Sequence, residues 1–316
     1  MSNYLVTGGA GFIGSHLSEE LVRRGHRVRV LDNLSTGKRK NLEHIPGVEL
    51  LVGDVADLDM CRRAVEGIDY VLHQGAIASV PRSVLDPIVS NNANVTGTLN
   101  ILLAARDAKV KRLVFAGSSS VYGDLPTLPK REDMPTKPQS PYALQKLVAE
   151  QYCQMFTQLY GFETVTIRYF NVFGPRQDPG SPYSGVISLF ATALLEGRVP
   201  TIYGDGGQTR DFTYVANIVD GVLRACEAPG IGGEVINVAT AGRISLNHLL
   251  ATINDIVGTS IEPIYEESRV GDVRDSQADI SKAAALLGYA PIVTFEDGLR
   301  RTLDWCRVEN ALSTTR

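Results

Sequence analysis

Short apolar runs alternate with amphipathic stretches through the first half of the chain. The runs 3–7, 27–31, 48–52, 69–73, 111–117 and 163–168 are rich in Val, Leu and Ile and too short for buried helices, so they read as strands covered on both faces. Between them, apolar positions recur at helical spacing over 12–24, 57–66, 84–108 and 140–160, with Asn91 marking a candidate break in the third. Alternation of this kind implies parallel strands joined by crossover helices. After Asn171–Pro175 the texture changes, with turn-rich pieces at Asp178–Pro182 and Gly204–Gly207. The expected division is a first domain over 1–175 and a smaller α/β region over 176–316. That boundary is soft, because the apolar run Val235–Ala239 can rejoin the main sheet. The last residues, 308–316, read as a frayed tail.

Composition narrows the classes. A chain of 316 residues with 44% hydrophobic content can bury one large core or two modest ones. A net charge of −4 and a pI near 5.8 give no electrostatic reason to expect nucleic acid or an anionic membrane as partner. No apolar run approaches the roughly 20 residues of a membrane span, and the first residues lead into a strand without a signal-peptide pattern. Cys61, Cys153, Cys226 and Cys306 are scattered, as are His16, His26, His44, His73 and His248, with no metal or disulfide spacing. The expectation is a cytoplasmic protein with reduced thiols and no bound metal.

The glycines after the first strand carry the first chemical signal. Gly9, Gly11 and Gly14 fit a dinucleotide fingerprint, and Gly8, Gly11 and Gly14 keep a three-residue step. Glycines there allow a sharp turn, close approach of a pyrophosphate to backbone, and tight packing of helix on strand. The helix N-terminus then presents unpaired N–H groups to the phosphates, with Phe12 and Ile13 in its first turn. Asp32 ends the second strand, where a carboxylate accepts from ribose hydroxyls and repels a 2′-phosphate, so NAD is favoured over NADP. The basic run Lys38-Arg39-Lys40 reads as a solvated loop. The expected fold is therefore a Rossmann-type doubly wound parallel sheet with a smaller C-terminal substrate-binding region.

A second signal lies downstream. Tyr142 and Lys146 are four residues apart, hence one turn apart on one helix face. A free phenol has a pKa of about 10, and bringing it to about 7 takes roughly 4 kcal/mol of differential stabilisation. A neighbouring ammonium favours the phenolate. Ser118, Ser119 and Ser120 follow the fifth strand and supply hydroxyls able to share a substrate proton.

Together, Gly8-x-x-Gly11-x-x-Gly14, Ser118–Asp124, Tyr142-x-x-x-Lys146 and Arg168–Pro175 resemble the extended short-chain dehydrogenase/reductases that act on nucleotide sugars. The resemblance runs from Tyr4 to about Trp305 and is closest to the UDP-hexose 4-epimerases. Ser79–Ser83, Tyr203–Gly206 and Arg210–Phe212 look most like the bacterial UDP-N-acetylglucosamine 4-epimerases. The resemblance implies a tightly held NAD recycled within each turnover. Asp32 and Asn33 would meet the adenosine ribose, and Asp54 and Val55 the adenine. Gly75 and Ala76 would line the groove, and Asn94 would support the helix beside it. Tyr142 and Lys146 would hold the nicotinamide ribose, with Tyr169 and Phe170 near the ring.

For a UDP-sugar, the same resemblance assigns Asn171, Arg210 and Arg269 to the diphosphate, Val186 and Tyr203 to the uridine, and Asp272 to its ribose. Ser118 aligns with the catalytic hydroxyl, and Ser119 is its substitute because three serines leave the register open. Related 4,6-dehydratases carry an Asp-Glu pair where this chain has Ser119 and Ser120, and UDP-glucuronate decarboxylases carry Glu at the place of Ser120. Epimerisation needs no third acid or base, so the serines favour it. Ser276, four residues past Asp272, stands where a Tyr restricts relatives to UDP-glucose and UDP-galactose. The expected substrates are UDP-GlcNAc and UDP-GalNAc, with UDP-Glc and UDP-Gal second. A UDP-glucuronate 4-epimerase or decarboxylase is the runner-up, and an NAD-binding sensor or scaffold is the non-enzyme alternative. The resemblance also implies a homodimer, for which Leu147, Val148, Met155, Phe156 and Leu159 offer a helical apolar stripe.

Overall fold

The computed structural model describes residues 1–178, 185–268 and 273–314. Arg269 and Asp272 lie outside the described residues. The first six strands are β1 (Asn3–Thr7), β2 (Arg27–Asp32), β3 (Glu49–Val52), β4 (Tyr70–His73), β5 (Arg112–Ser118) and β6 (Thr164–Tyr169). Short strands follow: β7 (Val172–Phe173), β8 (Thr201–Tyr203), β9 (Thr209–Arg210) and β10 (Thr213–Tyr214). The last three are β11 (Val235–Val238), β12 (Ile244–Ser245) and β13 (Ile264–Glu266). The central sheet is parallel, in the order β11-β6-β5-β4-β1-β2-β3. The chain runs outward from β1 to β3, then returns to β4 beside β1 and proceeds the other way. That reversal opens a crevice at the carboxyl ends of β1 and β4. β11, from the later part of the chain, completes the sheet edge beside β6.

The period of two sorts side chains onto two cores. Leu5, Leu31, Val71, Leu113 and Phe115 pack on one face, under α2 (Leu58–Ala64), α5 (Gly97–Asp107) and α6 (Pro141–Tyr160). Tyr4, Val6, Val30, Leu72, Val114 and Ile167 pack on the other. That face is covered by α1 (Phe12–Arg23), α7 (Val186–Leu195), α8 (Val215–Glu227), α9 (Leu246–Val257) and α11 (Phe295–Thr314). α10 (Ser281–Leu287) packs beside β11 and α8.

Two expectations about helices change. The stretch expected as one helix over 84–108 begins earlier, as α3 (Val80–Leu85), capped by Ser79, and breaks at Asp86 rather than Asn91. Pro87 has no N–H to continue the helix, and the Asp86 carboxylate accepts from Val89 N at 3.0 Å to start α4 (Pro87–Asn91). Beyond Asn91 the chain widens into a π-helical turn, Asn92–Thr96, before α5. The tail expected from 308 is instead helical through Thr314, as the end of α11.

Candidate active site

A cavity of about 1440 Å³ opens at the carboxyl ends of the central strands. It brings together Gly8, Gly11, Phe12, Ile13, Gly14, Asp32, Asn33, Asp54, Val55, Gly75 and Ala76 at one end. Ser118, Ser119, Tyr142, Lys146, Tyr169, Phe170, Asn171, Arg210 and Ser276 share the same cavity.

The cofactor end is shaped by missing side chains. Gly8 has φ +65°, and a Cβ there would lie 2.8 Å from the backbone of Gly75. A Cβ on Gly14 would lie 2.2 Å from the Gly8 carbonyl oxygen. Only glycine lets β1, α1 and the segment after β4 approach so closely. This cradle fits a dinucleotide laid across the β1–β4 crevice with its pyrophosphate at the start of α1.

Asp32 is more committed than its spacing suggested. Its carboxylate is buried and accepts from Ala10 N at 3.0 Å and Leu34 N at 2.8 Å. Burial holds its carboxyl above the usual carboxylate range, and those two N–H donors oppose the shift. It therefore braces the loops while it lines the cavity. Asn33 donates to Asp54 at 2.7 Å, tying the ends of β2 and β3 together. The basic run is exposed, as expected, and within it Lys38 also borders the cavity and pairs with Asp178 at 2.9 Å.

At the reacting end, α6 is set by the sequence around it. Ser140 accepts from Ala143 N at 3.2 Å, Pro141 occupies the first turn, and Gly161 ends the helix in the left-handed conformation. The Tyr142 N–H donates to the Ser83 hydroxyl at 3.0 Å, which anchors this turn to α3. Lys146 is 4% exposed, donates to the Ala116 carbonyl at 2.9 Å and lies 4.9 Å from the Phe115 ring centroid. Burial lowers its pKa to about 8. The Tyr142 phenol is raised by burial, and a hydrogen bond with Ser118 pulls it back. Within the protein alone, burial is the largest influence on the phenol, and the Lys146 ammonium is not among the groups that shift it. Lys146 is occupied by a carbonyl and itself weakened as a cation. Ser118 and Ser119 both line the cavity, and the Ser118 hydroxyl exchanges a 2.8 Å hydrogen bond with that of Ser120.

Other residues distribute as follows. Asn94 lies behind the cavity wall, where its amide holds both Ile77 N, at 2.8 Å, and Ile77 O, at 3.2 Å. Tyr169 donates to Gln74 at 2.9 Å, and Phe170 is buried against Tyr122. Asn171 carries φ +30°, a strained angle for a non-glycine residue at the turn into β7. Val186 and Tyr203 do not reach the wall. Leu189, one turn further along α7, does. The sequence reading missed Gln74, Arg82, Leu189 and Lys130 as wall residues. Lys130 is 2% exposed and donates to the carbonyls of Leu125 and Thr127. No sequence spacing announces it, since its place follows from the bridge between Lys130 and Ala278.

Comparison with known proteins places this geometry. Residues 4–239 match the NAD dependent epimerase/dehydratase family. The chain belongs to that family. It is an NAD-dependent enzyme of the epimerase type, an extended short-chain dehydrogenase/reductase. It is 41% identical to a UDP-glucose 4-epimerase of Mycolicibacterium smegmatis, over 96% of this chain and 98% of that one. It is also 36% identical to a UDP-N-acetyl-alpha-D-glucosaminuronate decarboxylase of Bacillus cytotoxicus, over 97% and 98%. The UDP-N-acetylglucosamine 4-epimerase of Methanobrevibacter ruminantium, solved with UDP-N-acetylmuramic acid, superposes with a TM-score of 0.93 at 40% identity, covering 98% of this chain and 99% of that one. The UDP-glucose 4-epimerase of Thermus thermophilus, solved with NAD, gives 0.87 at 38% identity, over 96% and 99%.

Proposed function

We propose that the protein is a UDP-sugar 4-epimerase that interconverts UDP-GlcNAc and UDP-GalNAc, with UDP-Glc and UDP-Gal as a second pair. The observation that carries the reading is that Ser118, Tyr142 and Lys146 line the same cavity as the glycine cradle. Bound NAD+ supplies a reversible hydride acceptor for C4 of the hexose. Tyr142 takes the O4 proton as that bond oxidises, and Ser118 shares the hydrogen bond on the oxygen. Lys146 holds the nicotinamide ribose and orients Tyr142. The 4-keto sugar turns over about its diphosphate linkage, so that C4 would take the hydride back on its opposite face while Tyr142 returns the proton to O4. Asn171, Arg210 and Arg269 hold the diphosphate during that rotation, so binding remote from C4 keeps the intermediate. Asp272 meets the uridine ribose. No carboxylate stands at Ser119 or Ser120, which supports epimerisation over dehydration or decarboxylation. The small Ser276 on the cavity wall, in place of a ring, supports an N-acetylated substrate.

The 1–175 portion carries NAD in this reading, and 176–316 carries most of the UDP-sugar contacts. The enzyme works as a homodimer. Leu144, Met155 and Leu159 expose apolar surface on α6, whereas Phe156 belongs to the core. A uronate substrate is the second reading, supported by the decarboxylase among the relatives.

The mechanism is tested by Tyr142→Phe. The expected result is a fall in kcat of about 10²- to 10⁴-fold, the usual worth of a positioned acid–base group, with NAD still co-purifying. Near-native turnover would overturn the assignment.

A further inference from the structure

Beneath the cofactor cradle lies a chain of buried polar groups that the reaction does not use directly. Thr7, His73, Thr98 and Asn94 are each at most 1% exposed. Thr7 Oγ1 and His73 Nδ1 are 2.6 Å apart, and His73 Nε2 and Thr98 Oγ1 are 3.0 Å apart. The Thr98 hydroxyl donates to the Asn94 carbonyl at 2.7 Å, and Gly75 N donates to Thr7 Oγ1 at 3.0 Å. Asn94 then holds the Ile77 backbone and donates to Gln145 of α6 at 2.8 Å.

Donor and acceptor counting fixes every proton in this chain. The Asn94 carbonyl can only accept, so the single Thr98 hydroxyl proton points there. Thr98 Oγ1 must therefore accept from His73 Nε2–H. A neutral imidazole has one N–H, so Nδ1 is left as an acceptor and takes the Thr7 hydroxyl proton. The Thr7 oxygen keeps lone pairs for Gly75 N–H. All bonds then run in one direction, from Gly75 to the Asn94 carbonyl. A second proton on the ring would place Nδ1–H against Thr7 and leave the Thr7 proton without this acceptor. The ring's burial agrees, drawing its pKa down to about 3.

We propose that His73, as the neutral Nε2–H tautomer, is the positioning residue of the cofactor site. It fixes the Gly75–Ile77 wall against the Gly8 turn and registers both to the helix that carries Tyr142 and Lys146. Gly75 is the segment that a Cβ on Gly8 would strike, so a small displacement there narrows or opens the cradle. The proposal rests on the NAD assignment, not on which hexose is turned over.

Two measurements test it. In ¹⁵N-histidine-labelled native protein, long-range ¹H–¹⁵N correlation at pH 7 is expected to show His73 neutral with its proton on Nε2. A proton on Nδ1, or a cationic ring, would overturn the proposal. In parallel, NAD binding is measured directly by calorimetry on cofactor-stripped native protein, His73→Gln and His73→Leu. His73→Gln keeps a donor toward Thr98, whereas His73→Leu keeps neither bond. The expected order is native, Gln, Leu, with the Leu variant weaker by about tenfold, the scale of one buried hydrogen bond. Partial rescue by Gln separates positioning from bulk packing. A folded Leu variant binding NAD within twofold of native would overturn the proposal. If the Leu variant fails to fold, the tautomer spectrum and the Gln variant still decide it. Loss of epimerase activity with unchanged NAD binding would count against His73 and leave the epimerase reading intact.

Discussion

Ser276 offers the sharpest residue-level question, because it is small where the family resemblance puts a ring in relatives confined to plain hexoses. It lies on the cavity wall and donates its N–H to the Thr209 carbonyl at 3.1 Å, so its backbone is fixed and only its side chain sets the available volume. Ser276→Tyr is expected to lower kcat/KM for UDP-GlcNAc by about tenfold or more, because a lost fit of a few carbon atoms is worth that much, while UDP-Glc conversion changes little. Paired kinetics on the two substrates check this, and equal loss on both contradicts the gate. At this scale, the sequence makes some partners legible and hides others. Tyr142 and Lys146 share a helix face by spacing alone. Ser118 and Ser119 are separated not by spacing but by their neighbours: Ser118 ends β5 and hydrogen-bonds Ser120, and its side chain lowers the Tyr142 phenol against the rise from burial. The electrostatics are less legible. Helix spacing suggests an ammonium beside a phenol, but not that burial is the largest influence on each of them. Asp32 is found by its distance from Gly14, but not its service to Ala10 and Leu34.

At the scale of elements, α6 matters most, because it carries Tyr142 and Lys146 together into the cavity. Two turns along from Tyr142, Glu150 forms a two-point pair with Arg168 of β6, at 2.9 Å and 2.6 Å. Both side chains are 4% exposed. The Arg168 guanidinium also lies 4.7 Å from the centre of the Tyr122 ring, so one cation joins α6, β6 and the turn after β5. Removing one member of a buried pair leaves the other charge uncompensated. Glu150→Ala is therefore expected to destabilise the fold by about 3–5 kcal/mol, measured by urea unfolding. A loss below about 1 kcal/mol, the range of exposed pairs, would show that the pair does not hold α6. The strands of the central sheet are legible because each is a brief apolar run between turn signals. The α3–α4 break is harder to see: apolar periodicity continues past Asp86, and the Pro87 that stops it looks like an ordinary first-turn proline only once the cap on Val89 is known.

Across the whole molecule, the earlier and later parts of the chain are stitched together by ion pairs. Lys38 pairs with Asp178, Arg176 with Glu19, and Lys40 with Glu309 at 2.5 Å, each joining the first 50 residues to the later part of the chain. His16 adds a 2.9 Å hydrogen bond to the Pro175 carbonyl. These contacts, with β11 closing the sheet, make the two regions cooperate around one cavity. Among the described residues no helix is long and apolar enough to cross a membrane. The central claim is that this cavity carries its own NAD and inverts C4 of a UDP-hexose. Proton NMR of the purified protein with UDP-GlcNAc, and separately with UDP-Glc, without added cofactor, tests it most directly. The account predicts signals of UDP-GalNAc from the first and UDP-Gal from the second, with the first faster. Turnover of UDP-Glc alone would keep the chemistry and overturn the substrate. No conversion of either, even after NAD+ is added, would contradict the central claim, and turnover of UDP-glucuronate in its place would establish the uronate reading.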